Sequence, residues 1–239
     1  LMERSPASGV GRRRVPEKPV VHLEPAEARR LVEAARKDAD KARNAITDAV
    51  YLFPMVVLAL RCGLRRSELF RLRWRDIDTE RRELWVRNSA AGTTKSGCER
   101  VVHLDDDALE ALTWWREWFG RESARLRSLI ADPAAEWHAR QYAPLRLDLL
   151  DVCAPRPERF VFASQAAAAI TGQHRMLDNV ASGFRALAES VFPGRGLTLH
   201  HLRHTFAVTA ARAGVPLPLL SQLMGHADMK TTSIYLRFA

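Results

Sequence analysis

Three histidines and an arginine crowd into the stretch LHHLRHTF, Leu199 to Phe206. His200 and His204 stand four apart, the spacing at which two imidazoles share a helical face and can hold zinc, as in H-E-x-x-H. The rest of that chemistry is missing. His201 occupies the place of the general-base Glu, and Arg203 sets a permanent cation beside the would-be metal. No metal and no cofactor are therefore expected. An anion fits better, because His200 and Arg203 lie one turn apart on one helix face and both donate hydrogen bonds, as a phosphate requires. A surface H-x-x-R pair without function would look the same, so the surroundings must decide.

Charge points the same way. Lys and Arg outnumber Asp and Glu by 37 to 28 in 239 residues, a net charge of +9 that favours a polyanionic partner, nucleic acid ahead of a membrane surface. A merely solvated basic face is the plainer alternative. Cys62, Cys98 and Cys153 are odd in number and lack CxxC spacing, which argues against a disulfide framework and fits a reducing cytoplasm. The longest apolar run, AVYLFPMVVLAL, is too short to span a bilayer and reads as a buried helix, so no membrane association is expected.

The elements that must position these residues follow from pattern. The length suits one main domain with a short basic leader. Residues 1–21 mix Ser, Gly, Pro and Arg and read as a linker, in which Arg12, Arg13 and Arg14 suit phosphate contacts or simple solvation. The chain starts with Leu and lacks an apolar signal core, so a fragment of something longer, missing an N-terminal domain, is expected. LEPAEARRLVEAARKDAD, with Pro25 in its first turn, predicts an amphipathic helix. A second helix is predicted over 54–62, with Gly63 as a left-handed cap that puts Arg65 at a sharp corner.

Alternating ELWVR and RVVHL between Trp74 and Leu104 predict a small antiparallel sheet, with Lys95 in or beside its hairpin turn. Asp105 can cap the next helix, whose Trp114, Trp115, Trp118 and Phe119 are expected in the core rather than stacked on bases. Residues 121–159 have no assignable role and read in part as a surface insertion. Beyond a short apolar RFVFAS, helices are predicted over about 173–191, through HHLRHTFAVTAARAG to a cap at Gly214, and from Pro216 to Gly225.

Four motifs in order, CGLRRSEL (62–69), TKSGCERVVHL (94–104), LHHLRHTFAV (199–208) and LMGHADMKTTSIY (223–235), together resemble the catalytic domain of the tyrosine recombinase, or phage integrase, family. The resemblance covers about 23–235. It implies an α+β, mainly helical bundle with a small antiparallel β-sheet, residues 1–22 as a basic arm and 23–239 as the catalytic domain, with the family's N-terminal core-binding domain absent. It also implies that Arg65 and Arg203 are catalytic arginines, Lys95 the hairpin lysine, His200 the histidine of H-x-x-R, His226 the histidine after Gly225, and Tyr235 the nucleophile. His201 departs from the family, standing where many members carry Asp.

The chemistry implied is metal-free and ATP-free cleavage of DNA. Tyr235 attacks phosphorus, Arg65 and Arg203 bind the non-bridging oxygens as forks, and Lys95 protonates the leaving 5′ oxygen. A phenol with an ordinary pKa of about 10 needs a proton acceptor, for which His200 is the expected group, while His226 hydrogen-bonds a phosphate oxygen. Arg66, His201, His204, Lys230 and Thr231 flank this set as expected DNA contacts. The expected partners are double-stranded DNA and, in a full-length protein, further copies in a tetrameric synapse. The expected location is the bacterial cytoplasm, on the nucleoid when DNA-bound. A type IB topoisomerase and an inert DNA-binding module are the alternatives.

Overall fold

Helix α1 (Pro25–Lys41) begins at the proline, where a missing N–H costs nothing, and the Glu27 carboxylate accepts the Glu24 N–H at 2.8 Å. It lays Leu31, Ala35 and Ala39 on α2 (Ala49–Cys62), the apolar centre of the molecule, where Val50–Leu60 are all buried. The chain is described by a computed structural model over residues 19–42, 49–88, 99–164, 168, 171–177 and 179–239. Arg12, Arg13, Arg14, Lys95 and Cys98 lie outside the described residues.

After α2 the chain turns through Gly63, at φ +58°, into the short α3 (Arg66–Arg71). A single turn of 3₁₀ helix, Trp74–Asp76, leads to a three-stranded antiparallel sheet of β1 (Ile77–Asp78), β2 (Glu83–Val86) and β3 (Arg100–His103) in the order β1-β2-β3. Leu84 pairs with Val102, and both face the core, whereas Trp85 and Val101 face outward. The Asp105 carboxylate accepts the Ala108 N–H at 2.9 Å and so caps α4 (Asp106–Ala131), as expected from its position.

The aromatic run on α4 is core. Trp115 is 1% exposed, stacks on Trp118 at 5.2 Å, meets the tilted Phe119 ring at 4.8 Å, and donates its indole N–H to the Val161 carbonyl at 2.8 Å. Helix α5 (Trp137–Cys153) packs back along α4, held by the buried Glu122 carboxylate, which accepts from Arg125 and Arg146. Residues 121–159 are thus mostly helical, the end of α4 and α5, with buried positions Ala143, Leu149, Leu150 and Cys153 beside exposed Trp137, Tyr142 and Leu145. Further along come α6 (Ala181–Val191), α7 (Leu199–Arg212), α8 (Leu217–Met224) and α9 (Lys230–Ser233). A last 3₁₀ turn covers Leu236–Phe238.

Two helix boundaries differ from expectation. The second helix runs through Pro54 rather than starting there, because Val50, Tyr51, Leu52 and Phe53 are all buried and their packing outweighs the lost backbone bond. The helix predicted over 173–191 starts only at Ala181. Before it, the Ser164 N–H bonds the Arg175 carbonyl and the Leu177 N–H the Phe162 carbonyl, so the chain lies extended beside the apolar RFVFAS stretch. The Asn179 side chain then accepts the Ala181 N–H, a turn contact that starts the helix late.

Among the described residues no helix is long and apolar enough to cross a membrane. Cys62 and Cys153 are free and buried, and burial pushes both thiols up, away from reactivity. Because Trp115 joins α4 to the stretch after α5 by both packing and a hydrogen bond, Trp115→Ala is expected to lower stability by about 3–5 kcal/mol in urea unfolding, with Trp115→Phe losing less.

Candidate active site

One buried carboxylate organises the cationic residues. Glu68, on the first turn of α3 and 5% exposed, accepts from Arg65 Nη1 at 2.8 Å and from Arg100 Nη1 and Nη2 at 3.0 and 2.7 Å. Arg203 Nη1 lies 3.8 Å from its other face. The same carboxylate accepts the Arg65 N–H at 2.8 Å, so it also caps α3. Burial pushes the Glu68 carboxyl up, but the bonds and charge of Arg100, with Arg65 and Arg203, outweigh this and hold it at about 2. Three guanidiniums against one carboxylate leave two positive charges in excess.

Backbone carbonyls fix the forks. Arg65 Nη2 donates to the Gly225 carbonyl at 2.6 Å, Arg203 donates to the Gly63 carbonyl at 2.6 Å and to the Met224 carbonyl, and Arg100 Nε donates to the Leu223 carbonyl at 2.8 Å. Gly63 and Gly225 both have positive φ, and neither has room for a side chain. A Cβ at 63 would lie 2.4 Å from the Phe206 ring, and one at 225 would lie 2.8 Å from Arg100 Nη1. Burial first, then the Arg65 cation, pulls the Arg203 guanidinium down to about 9, which leaves it charged at neutral pH.

The histidines and the tyrosine adjoin this cluster. His226 Nδ1 lies 2.8 Å from the hydroxyl of the buried Thr232, whose carbonyl accepts the Tyr235 N–H at 3.0 Å. Tyr235 is 1% exposed, and its hydroxyl meets His204 Nδ1 at 2.5 Å. Burial pushes the phenol up to about 12 although Arg203 opposes the shift. Burial and then the Arg203, Arg65 and Arg100 cations pull His226 down to about 4. His204 reaches about 4 for similar reasons, with His200 and His201 as its nearest contributors after burial.

Arg65, Arg203, His226 and Tyr235 are therefore brought together, and the exposed His200 stands beside them with its ring 4.4 Å from that of His204. The tyrosine's partner is His204, not His200. The two share a helix face, but His204 lies one turn further along and is half-buried, whereas His200 faces solvent. His201, expected at DNA, turns its Nδ1 back to accept the Thr198 N–H at 3.2 Å, filling the capping position that an Asp can also fill. Arg66, Lys230 and Thr231 are exposed around the cluster. Among the described residues, no three His, Cys, Asp or Glu side chains are placed to hold a metal ion.

Sequence reasoning missed Glu68 and Arg100, although both lie inside the quoted motifs. A charged residue amid Leu64, Leu69, Phe70 and Leu72, all buried, is the signal that was available for Glu68.

Residues 22–239 match the phage integrase family, and the chain belongs to it. An integrase/recombinase of Escherichia coli is 28% identical over 188 residues, covering 72% of this chain and 50% of its own length. The tyrosine recombinase XerA of Saccharolobus solfataricus is 27% identical over 222 residues, covering 93% of this chain and 54% of its own. The chain thus spans about half the length of these relatives. Its fold is similar to part of the XerH site-specific recombinase, solved bound to palindromic difH substrate as a post-cleavage complex. That likeness has a TM-score of 0.60, 19% identity, and coverage of 92% of this chain and 50% of the other.

Two outcomes are expected. Glu68→Gln leaves buried guanidiniums without their counter-charge and should cost about 3–5 kcal/mol of stability in urea unfolding. His174, His204 and His226 are neutral in the fold, each held at about 4 against an ordinary 6.5, so the unfolded chain binds more protons between those values. Their contribution is complete above pH 6.5 and is lost as pH falls towards 4, so the melting temperature should drop through that window.

Proposed function

We propose that the chain is the catalytic unit of a site-specific DNA recombinase or integrase that cleaves and rejoins DNA through a 3′-phosphotyrosyl link, using neither metal nor ATP. The observation that carries this reading is the convergence of Tyr235 with a cation cluster that has positive charge in excess. A phosphodiester entering there meets two arginine forks and the nucleophile together. The relative XerH, solved after cleavage of its DNA, supports it.

In this scheme Tyr235 Oη attacks phosphorus and the bond to the 5′ oxygen breaks. Arg65 and Arg203 take up the charge that grows on the non-bridging oxygens, with His226 and His200 as further donors. Lys95 gives its proton to the 5′ oxygen. A 5′ hydroxyl from another strand then attacks the phosphotyrosine and releases the tyrosine, so bond energy is conserved. Arg203 and Tyr235 are each 1% exposed, so a phosphodiester reaches them only as the side chains covering them move aside.

Residues 23–239 form the catalytic unit in this reading, and Arg12, Arg13 and Arg14 of the arm reach phosphates. Arg66, Lys230, Thr231 and the outer edge of His201 extend the contact, with affinity that falls as salt rises. Partner copies assemble with the duplex into a tetrameric synapse on cytoplasmic, nucleoid DNA.

A pool of nicked duplexes, randomised around the nick, tests the proposal. The chain should trap a covalent protein–DNA product on a denaturing gel, and joining of two distinct duplexes would separate recombination from pure relaxation. Tyr235→Phe should abolish trapping and Arg65→Ala should slow it about a hundredfold. Trapping that survives Tyr235→Phe, or none by the unaltered chain, would sink the reading.

A further inference from the structure

We infer that His204 is a further catalytic residue, whose Nδ1 takes the phenolic proton as Tyr235 Oη attacks phosphorus; this rests on the strand-cleavage reading above. The oxygen that must lose a proton already lies 2.5 Å from that nitrogen, with the two rings 5.9 Å apart and tilted by 51°. This step requires the phenol as donor, with Nδ1 free of hydrogen and the ring proton on Nε2. The surroundings keep the ring neutral. Burial, the neighbouring His200, His201 and Arg203 of α7, and His22 from the segment before α1 all disfavour the imidazolium, and His226 approaches from the loop after α8.

The helix turn that carries the ring is also anchored. His204 lies between the buried Arg203 and Thr205 on α7, edge-on to His200 at 4.4 Å. Thr205 donates to the His201 carbonyl and accepts the Leu23 N–H, both at 2.9 Å, which ties this turn of the helix to the segment before α1.

The step balances. The Oη–P bond forms, the P–O5′ bond breaks, the phenolic proton moves to Nδ1 to give an imidazolium, and the 5′ oxygen leaves with the proton of Lys95. On rejoining, Lys95 recovers a proton from the attacking 5′ hydroxyl and the imidazolium returns its own to Oη. The positive surroundings oppose the imidazolium until a phosphate adds negative charge beside it. Proton transfer therefore becomes favourable only with DNA seated.

Single-turnover trapping on the nicked duplex, measured from pH 6 to 9, tests this in the full chain. His204→Asn places an oxygen acceptor near the position of Nδ1 but cannot hold a proton, so a purely positional role would survive it. Trapping by H204N should be about a hundredfold slower at pH 7. It should rise about tenfold per pH unit while the unaltered chain changes little. An H204N rate within about threefold of the unaltered chain or above it, or a deficit constant with pH, would overturn the assignment.

His204→Gln gives the same reading should H204N not fold. Nitrogen-15 NMR of the unaltered chain needs no variant, and a protonated Nδ1 at pH 7 would overturn the assignment. Failure of the unaltered chain to trap DNA removes the strand-cleavage reading itself. Normal trapping with a flat H204N deficit removes only the role of His204.

Discussion

The site depends on the single carboxylate of Glu68. Arg65, Arg100 and Arg203 come from a helix corner, a sheet strand and a late helix, and guanidiniums this close repel unless an opposite charge lies among them. Glu68 is placed there because, as the third residue of α3, it also accepts the N–H of the cap residue Arg65. Local helix geometry and the long-range charge array are therefore set by one side chain. The carboxylate leaves the array net positive, a surplus that suits an anion.

Much of this was legible in order along the chain. Gly63 has the left-handed geometry its place after an apolar helix implied, Asp105 caps the helix it precedes, and the alternating ELWV and RVVH stretches pair in one sheet. The buried tryptophans followed from the one-sided spacing on α4. What could not be read was partnership across distance. Arg100 reaches Glu68 from 32 positions away and Arg203 reaches the Gly63 carbonyl from 140, and no local pattern distinguishes such arginines from solvated ones.

The His204 contact was missed for a related reason. The i,i+4 spacing correctly put His200 and His204 on one face, but which of them meets Tyr235 depends on where a segment 31 residues later crosses the helix. The boundary near 173 failed because backbone pairing with the RFVFAS stretch captured residues that otherwise suit a helix. Tertiary context decided both cases.

The cluster closes only when distant parts of the chain meet: the Leu23 N–H bonds Thr205, Arg65 bonds Gly225, and Tyr235 bonds His204. During synthesis the arginine corner and the sheet leave the ribosome long before α7 and the tyrosine exist to join them. A nascent or prematurely terminated copy therefore carries the charged corner of Arg65 and Glu68 without Arg203, Gly225 and Tyr235, the later residues that complete the array.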